Sequence, residues 1–207
     1  MLRQSDGLAR YAAALEQLAA HGLTYPCRCT RAEIRAALSA PQEGVAAATV
    51  YPGTCRGRAM AEAGPRDAIR LDLGRALALA GPLTTVVEEG PLHGGVHEVD
   101  PGALVAETGD VVLARRDIGM AYHLAVVADD AFQGISHVVR GEDLWGSTPL
   151  HRLLQALLGL PVPVWHHHRL VRDEAGQRLA KRADARALAT LRAEGVTPAA
   201  VRQLVGL

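Results

Sequence analysis

Ile135-Ser-His-Val-Val-Arg140 and Thr148-Pro-Leu-His-Arg-Leu-Leu-Gln-Ala-Leu-Leu158 decide the fold. The first run is β-branched at Ile135, Val138 and Val139, and such side chains suit the pleated, half-buried surface of a strand. The second puts Leu150, Leu153, Leu154, Leu157 and Leu158 on one face of a helix, closed by Gly159 and Pro161. Working outward, Val111 to Arg115 reads as a strand and Ala121 to Asp129 as a helix or buried run. Leu170 to Arg172 reads as a short strand. Residues 183–207 read as helical, broken at Gly195 and Pro198. Strands alternating with helices predict a parallel α/β sheet.

The first 110 residues have another texture. Leu8, Tyr11, Ala12, Leu15, Leu18 and Ala19 recur at helical spacing, with Gly22 as the C-cap, so residues 7–21 read as a helix. Thr30 to Leu38 reads as a short helix opened by a capping box of Thr30 and Glu33. Residues 39–68 are rich in Pro, Gly and Ala and read as loop. Ala68 to Leu73 reads as a strand, and the Val-rich runs of 81–105 as antiparallel strands with Gly turns. The expected organisation is therefore an inserted or peripheral module within 1–110 and an α/β half in 111–207.

Apolar residues make up 49% of the 207, which suffices for a full core, but aromatics are 3%, so that core must be Leu, Val and Ala. The formal net charge is zero and gives no argument for nucleic-acid binding. No run of eighteen uncharged apolar residues occurs, and Met1 to Asp6 lacks the apolar core of a signal peptide. The expected location is cytoplasmic.

All three cysteines lie in Cys27-Arg-Cys29 and Tyr51-Pro-Gly-Thr-Cys55. An odd, clustered set suggests a metal site more than disulfides. Two thiolates on one tight turn can grip a zinc ion, which takes four ligands in a tetrahedron. Three sulfurs leave one place, open between His21, of the usual ligand type, and Tyr51, an unusual ligand whose spacing sets it beside Cys55.

Of 22 basic residues 21 are arginine; Lys181 is the lysine. It stands in Gln177-Arg-Leu-Ala-Lys181-Arg182, a basic stretch between a strand and a helix. A mobile ammonium there can follow charge developing on an α-phosphate during nucleotidyl transfer. By spacing alone a solvated basic turn is the stronger reading, and the solitary lysine narrows that gap without reversing it. Arg140 ends a strand, where ligands sit in open α/β sheets, and its guanidinium is shaped to take a carboxylate in two parallel hydrogen bonds. Tyr122 could give its hydroxyl to the same ligand. The bland alternatives are a core tyrosine and a structural pair of Arg140 with Asp143 or Asp130. His166, His167 and His168 alternate across an extended strand and make a poor metal cage. His93 and His97 read as loop residues.

Together these pieces resemble the glutamyl-tRNA synthetase family, and more closely its short branch, the glutamyl-queuosine tRNA(Asp) synthetases. The likeness runs from about Arg3 to Arg182. Tyr25-Pro-Cys-Arg-Cys-Thr-Arg31 with Tyr51-x-x-x-Cys55 is similar to that family's zinc site, which implies Cys27, Cys29, Tyr51 and Cys55 as ligands. Ala121 to Gly134 and Val139-Arg-Gly-Glu-Asp143 look like its amino-acid pocket, which implies that Tyr122 and Arg140 bind glutamate. Arg178-Leu-Ala-Lys181-Arg182 looks like its KMSKS loop, with Arg178 and Ala180 where Lys and Ser are commoner, and implies Lys181 as the catalytic ATP contact. His167 matches a histidine upstream of that loop.

The fold so implied is a class I synthetase Rossmann-like catalytic domain with an inserted zinc module, its first strand and helix absent. The implied reaction takes glutamate, ATP with Mg2+, and tRNA(Asp), in a monomer. The family's HIGH-type nucleotide-binding segment is not seen ahead of the first helix, so the chain is expected to be a poor catalyst as it stands. An anticodon-binding domain is not seen either, which favours the short branch. Two alternatives stay open: a fragment of a full glutamyl-tRNA synthetase, and a non-catalytic zinc-bearing binding fragment.

Overall fold

The structure, a computed structural model, describes residues 2–39, 50–82, 85–115, 119–172, 176 and 187–206. A 3-10 turn, Gln4–Gly7, leads into helix α1 (Leu8–Ala20), which buries Tyr11 and Leu18. Gly22 follows at φ +67°, the left-handed position a helix end asks of glycine. Strand β1 (Thr24–Cys27) is buried at all four residues. Helix α2 (Arg31–Ser39) starts on the expected capping box: the Glu33 N–H donates to Thr30 Oγ1 at 3.2 Å and the Thr30 N–H to Glu33 Oε2 at 2.7 Å. Part of the expected loop, 40–49, lies outside the described residues.

Strand β2 (Ala68–Leu71) runs antiparallel to β1, with Thr24 opposite Leu71 and Cys27 opposite Ala68. Helix α3 (Leu73–Ala80) follows at once, a helix the sequence reading passed over. Gly74 weakens its propensity, but Asp72 caps it, accepting from the Arg75 N–H at 3.1 Å, and Leu73 and Ala76 are buried. Strands β3 (Val86–Glu88) and β4 (Gly95–His97) form the expected antiparallel hairpin. The expected strands stop there, because Asp100 opens helix α4 (Pro101–Glu107) by accepting from the N–H groups of Gly102 and Ala103, with Pro101 in its first turn.

The remaining elements are strands β5 (Val112–Arg115) and β6 (Gly119–Met120), helix α5 (Tyr122–Gln133), strand β7 (His137–Gly141), a 3-10 turn over Glu142–Ser147, helix α6 (Thr148–Leu158), strand β8 (Val164–His168) and helices α7 (Leu188–Ala193) and α8 (Pro198–Val205). The strand expected at Leu170–Arg172 is instead β8, several residues earlier. Its register with β7 sets His137 opposite Val164 and Gly141 opposite His168; beyond Gly141 the chain turns into the 3-10 segment and offers no further partner.

Two four-stranded sheets result. One, in the order β1-β2-β5-β6, is antiparallel. The other, β4-β3-β8-β7, is parallel across β3, β8 and β7, so the parallel expectation holds for this sheet. Both sheets join strands from before and after position 110. The helices α1, α3, α5 and α6 pack against one another over a core of Leu18, Leu71, Leu113, Leu124, Leu150, Leu153, Leu154 and Trp165. Each such buried side chain contributes roughly 1.5–3 kcal/mol. No helix among the described residues is long and apolar enough to cross a membrane.

Candidate functional site

Arg140, the fourth residue of β7, is buried with 9% of its surface exposed. Its register partner across the parallel pair is His167 of β8. Arg140 Nε donates to His167 Nε2 at 2.9 Å and one terminal nitrogen donates to His151 Nδ1 of α6 at 3.0 Å. The other terminal nitrogen donates to the Leu144 carbonyl at 3.2 Å and to Thr148 Oγ1 at 2.7 Å. The hydroxyl of Tyr122, the first residue of α5, accepts a further hydrogen bond from the guanidinium. Five protein partners thus face the five N–H donors of one guanidinium, and all are uncharged. Burial lowers the Arg140 pKa from its ordinary value, opposed by Tyr122, Asp130 and Glu88, and a guanidinium stays charged through such a shift.

The partners are themselves held. His167 is wholly buried; its Nδ1 meets Glu88 Oε2 at 2.7 Å, and its backbone N–H donates to Glu88 Oε1, also at 2.7 Å. The Gly90 N–H donates to the same Oε1 at 2.9 Å. A Cβ on Gly90 would stand 2.4 Å from that oxygen and 2.7 Å from the His167 nitrogen, so only glycine fits this turn. Across the guanidinium, His151 Nε2 lies 3.0 Å from His123 Nδ1. Burial, with Arg140 next, drives the His151 pKa down to about 3. His123 and His167 are also lowered, foremost by burial. Glu88 is lowered because N–H donors from His167 and Gly90 outweigh the burial that raises it.

Neutral histidines in this chain have one consistent assignment, inferred from the donors around them. His167 carries its proton on Nδ1, toward Glu88, and accepts from Arg140 on Nε2. His151 accepts from Arg140 on Nδ1 and donates from Nε2 to His123. The Tyr122 ring, 43% exposed, lies edge-on to His151 with centroids 5.8 Å apart, and is the part of the assembly that reaches solvent. At its other flank Trp145 is stacked on His93 at 4.5 Å and meets His97 and His167 edge-on. Tyr122 and Arg140 therefore come together as expected from the sequence; His93 lies in a turn as expected, whereas His97 ends β4, and both pack on Trp145.

The cysteine module is the second constellation. Cys27, Cys29 and Cys55 bring their sulfurs within 4.8 Å of one another, a group able to hold a metal ion. Tyr51 adds its hydroxyl, 3.4 Å from Cys27 Sγ and 3.6 Å from Cys29 Sγ. Cys29 and Cys55 sulfurs are 3.5 Å apart, and the Cys55 N–H donates to the Tyr51 oxygen at 2.9 Å. Among the described residues no histidine joins the group, so His21 stands apart from it. Burial pushes Cys29 up to about 11 and raises Tyr51. Burial also pushes Cys55 upward, but the Arg28 backbone N–H, Tyr51 and the other thiols overcome it, bringing Cys55 down to about 7.

Asp110 fastens this module to the fold. Its buried carboxylate accepts from Tyr25 at 2.5 Å, from Arg56 at 2.9 and 2.8 Å, and from the Leu73 N–H at 3.0 Å. Arg70 donates to the Asp110 carbonyl at 2.7 Å and lies 3.8 Å above the Tyr51 ring. Tyr25 and Arg56 flank the cysteines in sequence, and Leu73 starts α3, so one residue ties the cysteine loops to β1 and α3. Lys181 and Arg178 lie outside the described residues.

Sequence reasoning missed Glu88, His123, His151 and Asp110. The signal for Glu88 was present: β3 alternates, so Glu88 shares the face of buried Val86. The signal for His151 was its place within the leucine face of α6, one residue after Leu150 and three before Leu154.

Residues 1–207 match the family described as tRNA synthetases class I (E and Q), catalytic domain. A protein named Glutamyl-Q tRNA(Asp) synthetase from Rhodobacter capsulatus is 53% identical over all of this chain and three quarters of its own length. Proteins of the same name from Thiobacillus denitrificans and Nocardia farcinica are 42% and 44% identical, and this chain spans 57% and 61% of them. Among solved structures, the glutamate-tRNA synthetase of Elizabethkingia anophelis superposes with a TM-score of 0.61 at 27% identity, over 87% of this chain and 37% of that one.

Proposed function

The chain belongs to the class I glutamyl and glutaminyl tRNA synthetase catalytic-domain family, and on that premise we propose that it activates glutamate with ATP and passes the glutamyl group to queuosine of tRNA(Asp). The observation that carries this is the buried Arg140 guanidinium, held by uncharged partners at the carboxyl end of β7 beside an exposed Tyr122. A desolvated cation without a carboxylate among its hydrogen-bond partners suits an anionic ligand, which would take the N–H that now meets the solvent-exposed Tyr122 hydroxyl. In the proposed reaction the glutamate carboxylate attacks the α-phosphorus of ATP, a C–O–P linkage forms, and pyrophosphate leaves. Queuosine then takes the acyl group and AMP departs. Such displacements depend on positioning and charge stabilisation, with no protein nucleophile.

Within this reading Tyr122 and Arg140 hold glutamate and Lys181 touches the ATP phosphates, whose charge Mg2+ shares. Residues 1–110 supply the zinc module and part of the nucleotide half, and 111–207 the glutamate pocket and the Lys181 loop, with Glu88 reaching across. The metal is read as one zinc ion on Cys27, Cys29, Cys55 and Tyr51. Tetrahedral zinc, about 2.3 Å from sulfur and about 2.0 Å from oxygen, places its ligand pairs about 3.5–3.8 Å apart. The 3.4, 3.6 and 3.5 Å separations fit that cage before any ion enters. The zinc would hold the loops in place and take no part in the acyl transfer. A cytoplasmic monomer completes the reading.

The test is glutamate-dependent exchange of pyrophosphate into ATP, followed by transfer of labelled glutamate to tRNA(Asp) with and without queuosine. Exchange with glutamate but not glutamine, and labelling only of queuosine-bearing tRNA, is the expected result. Labelling of a 3′ end on tRNA(Glu) would replace it with the full synthetase's activity.

A further inference from the structure

Arg140 is usable only if its plane is fixed, and the groups that fix it lie on other elements. His167 can accept from Arg140 Nε only while its own proton sits on Nδ1. The atom that keeps the proton there is Glu88 Oε2, 2.7 Å away on the neighbouring strand β3. Glu88 is 2% exposed, and its other oxygen is already occupied by the N–H groups of Gly90 and His167, so its carboxylate cannot swing away. Gly90 makes the turn that lets both N–H groups converge on it.

We propose that Glu88 is a positioning residue for the anion site: it sets the His167 tautomer, and through His167 it fixes the Arg140 guanidinium against Tyr122. The inference deepens the glutamate reading and rests on it only for the identity of the ligand. A buried carboxylate that accepts from an imidazole chooses which ring nitrogen is left as acceptor. His151 cannot replace His167, because it meets a terminal nitrogen of Arg140 and leaves Nε to be satisfied elsewhere. The carboxylate also supplies a negative charge one imidazole away from a buried cation, so the assembly of Glu88, His167 and Arg140 is neutral until an anion arrives.

Glu88→Gln separates this role from simple filling of space. The amide keeps the shape but must place an NH2 against a donor, and the site that can yield is His167 Nδ1. The imidazole then moves its proton to Nε2, which faces the Arg140 Nε–H as donor against donor. The experiment uses 15N-histidine and 15N-arginine spectra of the 207-residue chain and of the variant, with glutamate titration calorimetry on both. Expected in the parent are a His167 protonated on Nδ1 and a slowly exchanging Arg140 Nε–H. Expected in Glu88→Gln are the opposite tautomer, a rapidly exchanging Arg140 Nε–H, and glutamate affinity lower by about tenfold to a hundredfold with the fold kept.

An unchanged tautomer, or an unchanged Arg140 signal, overturns the proposal whatever the ligand is. A switched tautomer with unchanged glutamate affinity also overturns it, while leaving the glutamate reading intact. A parent that binds no glutamate sinks that reading alone, since the spectra still decide whether Glu88 fixes Arg140. Should Glu88→Gln not fold, His167→Asn is the second variant. Its amide reaches Glu88 but not Arg140, so the same loss of the slow Nε–H is expected, and its retention contradicts the proposal.

Discussion

The Arg140 cluster and the cysteine module are both buried and polar, yet they are built in opposite ways. In the cluster Arg140, His167, His151 and Glu88 come from β7, β8, α6 and β3, and each donor already meets an acceptor. In the module Cys27, Cys29, Tyr51 and Cys55 come from two short loops and place thiols and a phenol against one another. Thiol contacts are weak hydrogen bonds, so the module's own side chains contribute little to holding it. The lesson is that the Arg140 cluster is rigid because its polar network is complete, whereas the module is held from outside by Asp110 and, on the zinc reading, by an ion within.

That contrast breaks first on metal removal. If the module holds zinc, a chelator should lower the stability of the whole chain by about 4 kcal/mol when free zinc had been a thousand times its dissociation constant. Thermal unfolding with and without chelator measures this. An unchanged transition would mean that the loops stand without an ion, and that both sites are held by their protein contacts alone.

The next effect is at Asp110. Asp110→Ala leaves the Tyr25 hydroxyl and the Leu73 N–H without their acceptor in the interior, and Arg56 without its ion-pair partner. Arg56 is half exposed and water can take its charge, so the cost comes from the buried pair of donors: about 2–4 kcal/mol by urea unfolding at neutral pH. Metal content should fall alongside. A loss below 1 kcal/mol would show that the module is fastened by other contacts.

Acid sharpens the comparison from the pocket's side. His151 faces Arg140 from β7, His123 and Tyr122 from α5 and His167 from β8, and burial brings its pKa down to about 3 from 6.5. A depressed histidine stays neutral in the folded state while the unfolded chain takes up a proton. Stability is thus full above pH 6.5 and is lost as pH falls from there toward 3. Between pH 7 and 5 this histidine alone should remove about 2 kcal/mol. His123 and His167 act in the same direction, and Glu88, lowered from 4.5, adds its loss at more acid pH. Urea midpoints across that range should show the slope, and His151→Gln should flatten it by about the stated amount. An identical slope in the variant would mean that His151 is protonated in the fold.

The sequence made the module more legible than the pocket, for a physical reason. The thiols cluster on tight turns, so Cys27, Cys29 and Cys55 could be read as a set, while Tyr51 joined them through the family resemblance because spacing left His21 open beside it. Tyr122 and Arg140 were legible as candidate ligand contacts at the start of α5 and the end of β7. Their holders were not, because Glu88 and His151 are brought to Arg140 by sheet register and helix packing, and neither element announces its neighbour. Pairing also decided where local pattern misled. Val164–His168 became the strand in place of Leu170–Arg172 because β7 had a free edge only that far. Helices α3 and α4 were hidden for a different reason: their signals are the caps Asp72 and Asp100, which a reading of apolar periodicity does not register.

The smallest effect expected on stability is also the one that separates rigidity from ligand contact. Tyr122→Phe removes a single hydroxyl from the guanidinium. The ring stays, and its contact with His151 is an edge-on packing that a phenyl keeps. Because Tyr122 is 43% exposed, water can replace the lost partner, so the stability change should stay below about 0.5 kcal/mol. Glutamate binding should respond more strongly. If the ligand meets Arg140 where Tyr122 opens to solvent, the hydroxyl is part of the surface it touches, and its loss should lower affinity by about threefold to tenfold, the worth of one neutral hydrogen bond. Calorimetry against parallel urea unfolding reads both quantities on the same protein. Equal affinities in the two proteins would mean that the ligand approaches Arg140 from another side. A stability loss of several kcal/mol would mean that Tyr122 belongs to the sealed network, and the open mouth of the pocket would have to be sought elsewhere along the ends of β7 and β8.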